Sequence, residues 1–133
     1  MPGQVDGDVR QWLYQHCTAF LFPSLAEGFG LPVIEAMKLG RPVFMSDRTS
    51  LPEVGGPLGF YWHSFAPDAM VDVFRSGMQM VRDDQEYAHK LRAYAAQFSW
   101  ERAAREYLAI YQTLLAKNES DAVRAHNSRR RCA

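Results

Sequence analysis

Apolar residues in this chain switch between a three-to-four spacing and short unbroken runs, and the order of those patterns predicts alternating helices and strands. Val9, Trp12, Leu13 and His16 share one helical face behind Asp6 or Asp8, either of which can cap the helix. Thr18 to Phe22 is a short β-prone run closed by Pro23 and Ser24, which suits a buried parallel strand. A helix from Pro32 to about Leu39 comes next, ended by Gly40 in the left-handed position, and Arg41-Pro42 leads into a second buried strand, Val43 to Met45. Strand, glycine turn, helix and strand make a βαβ unit, whose two strands belong in one parallel sheet.

After a polar loop, Ser46 to Glu53, a Gly-Gly-Pro turn at Gly55 to Pro57 precedes a short aromatic strand, Gly59 to Trp62. Its aromatics, Phe60, Tyr61 and Trp62, read as core rather than as a base-stacking platform. Three helical patterns follow. Pro67 opens one with Met70, Val71, Phe74 and Val81, and a second carries Tyr87, Leu91, Tyr94 and Ala95. Ser99 caps a third, with Ala104, Tyr107, Leu108, Tyr111 and Leu115 along one stripe. The fold class expected is α/β. Beyond Lys117 the chain turns polar and ends Ser-Arg-Arg-Arg-Cys-Ala, which reads as a disordered tail.

A length of 133 residues with 47% apolar content fits one domain with a modest core. Formal net charge is zero, so whole-chain charge gives no argument for nucleic acid as a partner. No apolar run approaches the ~20 residues of a membrane span, and the polar start, Met1 to Arg10, lacks the apolar stretch of a signal peptide. Cys17 and Cys132 make no disulfide framework and read as two free thiols in a reducing cytoplasm, Cys17 as a small core residue. His16 and His63 read as packing or surface histidines.

The candidate chemistry lies in Glu27-Gly28-Phe29-Gly30-Leu31-Pro32-Val33-Ile34-Glu35, two carboxylates eight positions apart around a glycine-rich turn and a helix start. Gly28 and Gly30, without Cβ atoms, let the backbone approach a ligand. Pro32 suits the first helical position, where a missing N–H costs nothing. The remaining N–H groups of that first turn, with the positive end of the helix dipole, suit an anion such as a diphosphate. One carboxylate can accept hydrogen bonds from ribose hydroxyls and the other from a sugar. Arg48 and Ser46, in the loop after the second strand, can reach phosphate, while Glu53 either caps a turn or shapes the loop under a nucleotide.

Ala19 to Ser24, Glu27 to Met37, Gly40-Arg41-Pro42-Val43 and Leu51 to Gly56 together resemble the donor-binding half of GT-B, family-4 retaining glycosyltransferases, and Phe98-Ser99-Trp100-Glu101 is similar to the start of that family's last helix. The resemblance runs from about Gly3 to Leu115. It implies a partial Rossmann-like fold, half of a GT-B C-terminal domain, with residues 1–117 as an incomplete nucleotide-sugar-binding domain and 118–133 as a tail. Glu27 would then contact the donor hexose at its reacting end as the catalytic residue. Gly28 would lie in the same substrate-binding loop, Phe29, Gly30 and Leu31 would offer backbone N–H groups to the sugar and diphosphate, and Glu35 would hold the ribose. The implied reaction moves a hexose from a nucleotide-diphosphate sugar to a glycan or lipid-linked acceptor with retention, using no metal or other cofactor.

The acceptor domain and the first half of the donor domain of such enzymes have no counterpart here, and His63-Ser64 stands where Asp-Pro often follows the last strand. The expectation is therefore an incomplete enzyme, inactive alone: a fragment, a truncated frame or one piece of a split protein. Its missing N-terminal domain or a second copy would be the partner, since a cut sheet leaves an open edge and leaves Val33, Ile34, Phe44 and the last helix short of contacts. The alternative is a non-catalytic module that assembles with a chain supplying the missing half. The location expected is cytoplasmic, and the terminal arginines leave peripheral contact with the inner membrane face open.

Overall fold

The computed structural model describes residues 3–131, with side chains described for 3–118. The described residues form ten segments: α1 (Gly7–His16), β1 (Phe20–Phe22), α2 (Leu31–Lys38), β2 (Val43–Ser46), α3 (Leu51–Gly55), a 3-10 turn (Gly56–Leu58), β3 (Phe60–Trp62), α4 (Pro67–Asp83), α5 (Tyr87–Ala95) and α6 (Trp100–Arg131). The chain divides into two compact units, Met1–Gln97 and Phe98–Ala133.

Three parallel strands in the order β1-β2-β3 form the sheet of the first unit, with Phe20 beside Val43 and Phe44 beside Phe60. All four residues of β2 are buried, which explains its unbroken apolar run: it is the central strand, covered on both faces. In α2, Val33, Ile34, Ala36 and Met37 are buried at the spacing that turns one helical face inward. Phe44 is fully buried, with Phe60 stacked 4.7 Å away and Phe74 of α4 at 4.8 Å. Burial of such a ring is worth about 1.5–3 kcal/mol. Trp62 is buried and donates its indole N–H to the Met70 carbonyl at 3.2 Å, fixing α4 against β3, so the aromatic strand does belong to the core.

Helix ends follow their chemistry. Asp6 caps α1 by accepting from the Val9 N–H at 2.9 Å, Gly40 takes the left-handed φ of 73° after α2, and the Ser99 hydroxyl accepts from the Arg102 N–H at 3.2 Å.

Several expectations need correction. The apolar stripe of α1 does not face the core: Trp12 is 57% exposed and stacks on His16 at 4.3 Å, while the buried residue is Tyr14, set edge-on to Phe20 at 5.2 Å. Helix α2 begins at Leu31, so Pro32 is its second residue; either first-turn place leaves its missing N–H harmless. The polar loop after β2 winds into α3 because Leu51 and Val54 find buried places beside β2. Val33, Ile34 and Phe44 are not short of contacts; α2, α4 and α5 bury them, and Leu21 at 51% exposure is what the open side leaves bare. Cys17 is half-buried, its thiol 3.5 Å from the Tyr14 carbonyl, and Cys132 lies outside the described residues.

In the second unit α6 spans Trp100–Arg131. Residues 116–131 contain neither glycine nor proline to stop a helix and include three Ala and four Arg, both good helix formers. The side chains of Trp100, Tyr107, Leu108, Tyr111 and Leu115 are exposed along it. Among the described residues no helix is long and apolar enough to cross a membrane.

Candidate functional site

In a parallel sheet all strands end on one edge, and ligands of open α/β folds bind outside that edge. The loops leaving β1 (23–30), β2 (47–50) and β3 (63–66) therefore gather there.

The β1 loop ends at Gly30, whose φ of 104° is one that L side chains rarely adopt, and a Cβ built on it would meet Leu51 Cδ2 at 2.9 Å. Glycine is thus required there both by conformation and by space. Gly28 has no such constraint, since nothing lies within 4 Å of its Cβ position. The Gly30 carbonyl takes the N–H groups of Val33 (3.0 Å) and Ile34 (3.5 Å). Pro32 has none, and among the described residues the Leu31 N–H is the first-turn donor with no assigned acceptor. Phe29 and Leu31 have half-exposed side chains on this loop.

Glu35, one turn into α2, opens onto a cleft of about 270 Å³ lined with Arg10, Gln11 and Tyr14 of α1 and Lys38 and Leu39 of α2. Arg10 Nε lies 3.9 Å from its carboxylate, an exposed pair of the kind worth about 1 kcal/mol or less. Burial, and then the nearby Glu35 charge, push the Tyr14 phenol up, against an opposing effect of Arg10. Glu27 does not line this cleft. It is part-exposed on the β1 loop, its N–H donating to Thr49 Oγ1 at 3.2 Å and its carbonyl accepting from Ser50 Oγ at 3.3 Å. The two residues therefore sit in different surroundings, Glu35 between two helices and Glu27 with its backbone tied to the β2 loop.

The β2 loop divides into groups that hold the backbone and groups that face solvent. Ser46 is fully buried and its hydroxyl donates to the Ser24 carbonyl, so it binds the β1 loop rather than a phosphate. Asp47 accepts from His63 Nδ1 at 2.8 Å, tying the ends of β2 and β3. That hydrogen bond, joined by the Arg48 and His63 charges, holds the Asp47 carboxyl below the usual range against a burial effect that raises it. Its Oδ1 lies 3.2 Å from Arg48 Nε, an ion-pair distance without hydrogen-bond geometry. Arg48 is exposed; Glu53 is exposed in the first turn of α3, and its carbonyl accepts from Tyr94. Sequence reasoning missed Arg10, Tyr14, Asp47, Thr49 and Ser50. A tyrosine two places beyond an exposed tryptophan is the only hint at the Tyr14 face, and Thr49 carries no sequence sign of its φ of 51°.

A strand, a left-handed glycine, a helix N-terminus and a carboxylate one turn inside stand together at the edge of a Rossmann-like sheet where open α/β folds bind ligands. The family described as Glycosyl transferases group 1 matches residues 1–98, and the chain belongs to it. It is 38% identical over 120 residues to the serotype-specific mannosyltransferase WbdA of Escherichia coli, a match covering 86% of this chain and 14% of that protein. Identity to the O-antigen chain mannosyltransferase B of Escherichia coli is 38% over 115 residues, 84% of this chain and 29% of the relative. Identity to a glycogen synthase of Deinococcus deserti is 32% over 105 residues, 77% and 24% of the two chains. The chain thus spans less than a third of the length of these relatives.

Proposed function

We propose that residues 1–117 form an incomplete nucleotide-sugar-binding domain of a retaining, family-4 glycosyltransferase of the GT-B fold. It would serve transfer of a hexose from a nucleotide-diphosphate donor to a glycan or lipid-linked acceptor, in the cytoplasm or at the inner membrane face. Mannose is the hexose favoured by the names of the most similar relatives. The observation that carries this reading is the Glu35 cleft beside the α2 start: a carboxylate for ribose hydroxyls, and one turn away a left-handed glycine and the Leu31 N–H at the positive end of a helix. Glu27 takes the hexose, and Gly28, Phe29, Gly30 and Leu31 line the sugar and diphosphate. The acceptor hydroxyl attacks the anomeric carbon as its bond to the diphosphate breaks, the hydroxyl proton passing to the departing phosphate oxygen on the same face. Backbone N–H groups aimed at the diphosphate would stabilise the charge it gains.

Glu35→Gln keeps helix propensity and removes the charge, so nucleotide affinity should fall by roughly tenfold. Glu27→Gln should weaken the sugar nucleotide more than the nucleoside diphosphate. Calorimetry with GDP-mannose, UDP-glucose, ADP-glucose and the matching diphosphates reads both; two folded variants indistinguishable from wild type would remove the carboxylates from the site. Without acceptor positioning, which can supply about 7–11 kcal/mol in ideal cases, the 133-residue polypeptide should show no sustained turnover.

A second reading, a non-catalytic module completed by another chain, is favoured by an apolar groove of about 320 Å³ between Leu21, Pro23, Trp62, Met70, Val71 and Phe74, which has no polar lining. A nucleotide-sugar panel that leaves the melting temperature unmoved, with a stable complex formed on adding a separate chain that carries the first half of such a donor domain, would favour it.

A further inference from the structure

The β1 and β2 loops are joined by three hydroxyl groups, all from the β2 side and all directed at backbone. Ser46 donates to Ser24 O, Thr49 accepts from Glu27 N–H at 3.2 Å, and Ser50 lies 3.3 Å from Glu27 O and 3.0 Å from Phe29 O, its single proton shared between them. Two of these groups act against their own local interest. Ser50 occupies the N-cap of α3, where a serine usually accepts from its own helix, yet its hydroxyl makes no capping bond. Thr49 is the one non-glycine residue with positive φ among those described, 51°, which costs a β-branched side chain more than most. A strained threonine and a diverted cap serine both meet the Glu27 backbone, and the serine reaches Phe29 as well. Such outliers persist where surrounding structure holds them, and are found most often at functional sites.

We propose that Thr49 and Ser50 are positioning residues that set the Glu27–Phe29 backbone, and with it the Glu27 carboxylate, for the donor sugar. This rests on the reading of Glu27 as the sugar contact. The Asp47–His63 bond fixes the other end of the clamp, so the loops of all three strands are tied into one assembly at the sheet edge.

Thr49→Gly separates positioning from plain structural support, because glycine relieves the left-handed strain while deleting the hydroxyl. In the 133-residue chain its melting temperature should hold or rise, yet the Glu27 amide should exchange with solvent roughly five- to tenfold faster, the loss of about one hydrogen bond. Thr49→Ser, which keeps the hydroxyl, should restore protection, and Ser50→Ala should speed exchange in the same loop. In calorimetry the preference for GDP-mannose over GDP should fall in Thr49→Gly as in Glu27→Gln, and return in Thr49→Ser. A Glu27 amide as unprotected in wild type as in a free peptide, or equally protected in Thr49→Gly, overturns the proposal. Accelerated exchange in Thr49→Gly beside an unchanged preference in Glu27→Gln would instead retain the clamp and reject Glu27 as the sugar contact.

Discussion

Gly77 lies where α4 crosses the sheet, and a Cβ there would stand 2.7 Å from Phe44 Cε1 and 2.8 Å from Phe60 Cδ1, two rings already stacked on each other. Neither ring is the free end of a flexible chain, so Gly77→Ala must move the helix or the stack. Overpacking of this kind costs about 1–3 kcal/mol, against about 1 kcal/mol gained by replacing glycine in a helix. The variant should melt lower than wild type in calorimetry; a higher melting temperature would mean that the rings yield freely. The same residue scale decides the site: Gly30 is fixed by φ and by Leu51, whereas Gly28 has only open space beside it, room that a donor could fill.

Among the elements, three tyrosines hold the stretch between α3 and β3. Tyr61 donates to Gly56 O at 2.7 Å, Tyr87 to Leu58 O at 2.5 Å and Tyr94 to Glu53 O at 3.3 Å. Burial, with Tyr94 nearby, pushes the Tyr61 phenol up to about 12, and burial also raises Tyr87, helped by Tyr61 and Asp84. A phenol raised in the fold is bound to its proton while the unfolded chain loses one, so the stability it lends is complete below about pH 10 and declines as pH climbs toward 12. Alkaline titration should show phenolate absorbance from these two appearing together with unfolding, and Tyr61→Phe with Tyr87→Phe should flatten that decline; two tyrosines ionising at the ordinary pH with the fold intact would contradict it. The helices and strands themselves were legible, because β2 opens with three apolar residues in a row, Val43 to Met45, and α2, α4 and α5 carry periodic faces bounded by Pro32, Gly40 and Pro67. Helix α3 was not, since five residues give no period to read, and the α1 face was misread because Trp12 and Leu13 outweigh Tyr14 in any apolar count. At the site, the glycines and both carboxylates stood out in one segment, while Thr49 and Ser50 act through backbone groups twenty-odd positions away, a pairing only the sheet creates.

For the molecule entire, strand β1 pairs with β2 on one side and carries Leu21 beside the apolar groove under α4. An exposed edge next to an apolar surface favours association. Light scattering should therefore find species larger than the 15.2 kDa chain as concentration rises, and Leu21→Lys should shift them toward monomer; a wild type that stays monomeric throughout would exclude that surface as a contact. The strand order adds something about time. Because β1, β2 and β3 are neighbours in sequence as well as in space, each meets its partner within about two dozen residues, and none of these three waits for one made much later. Short chain loops cost little entropy to close, and local pairing speeds folding. These three strands can accordingly pair in the order in which they are made, with the hydroxyl clamp forming as soon as β2 and its loop have followed β1.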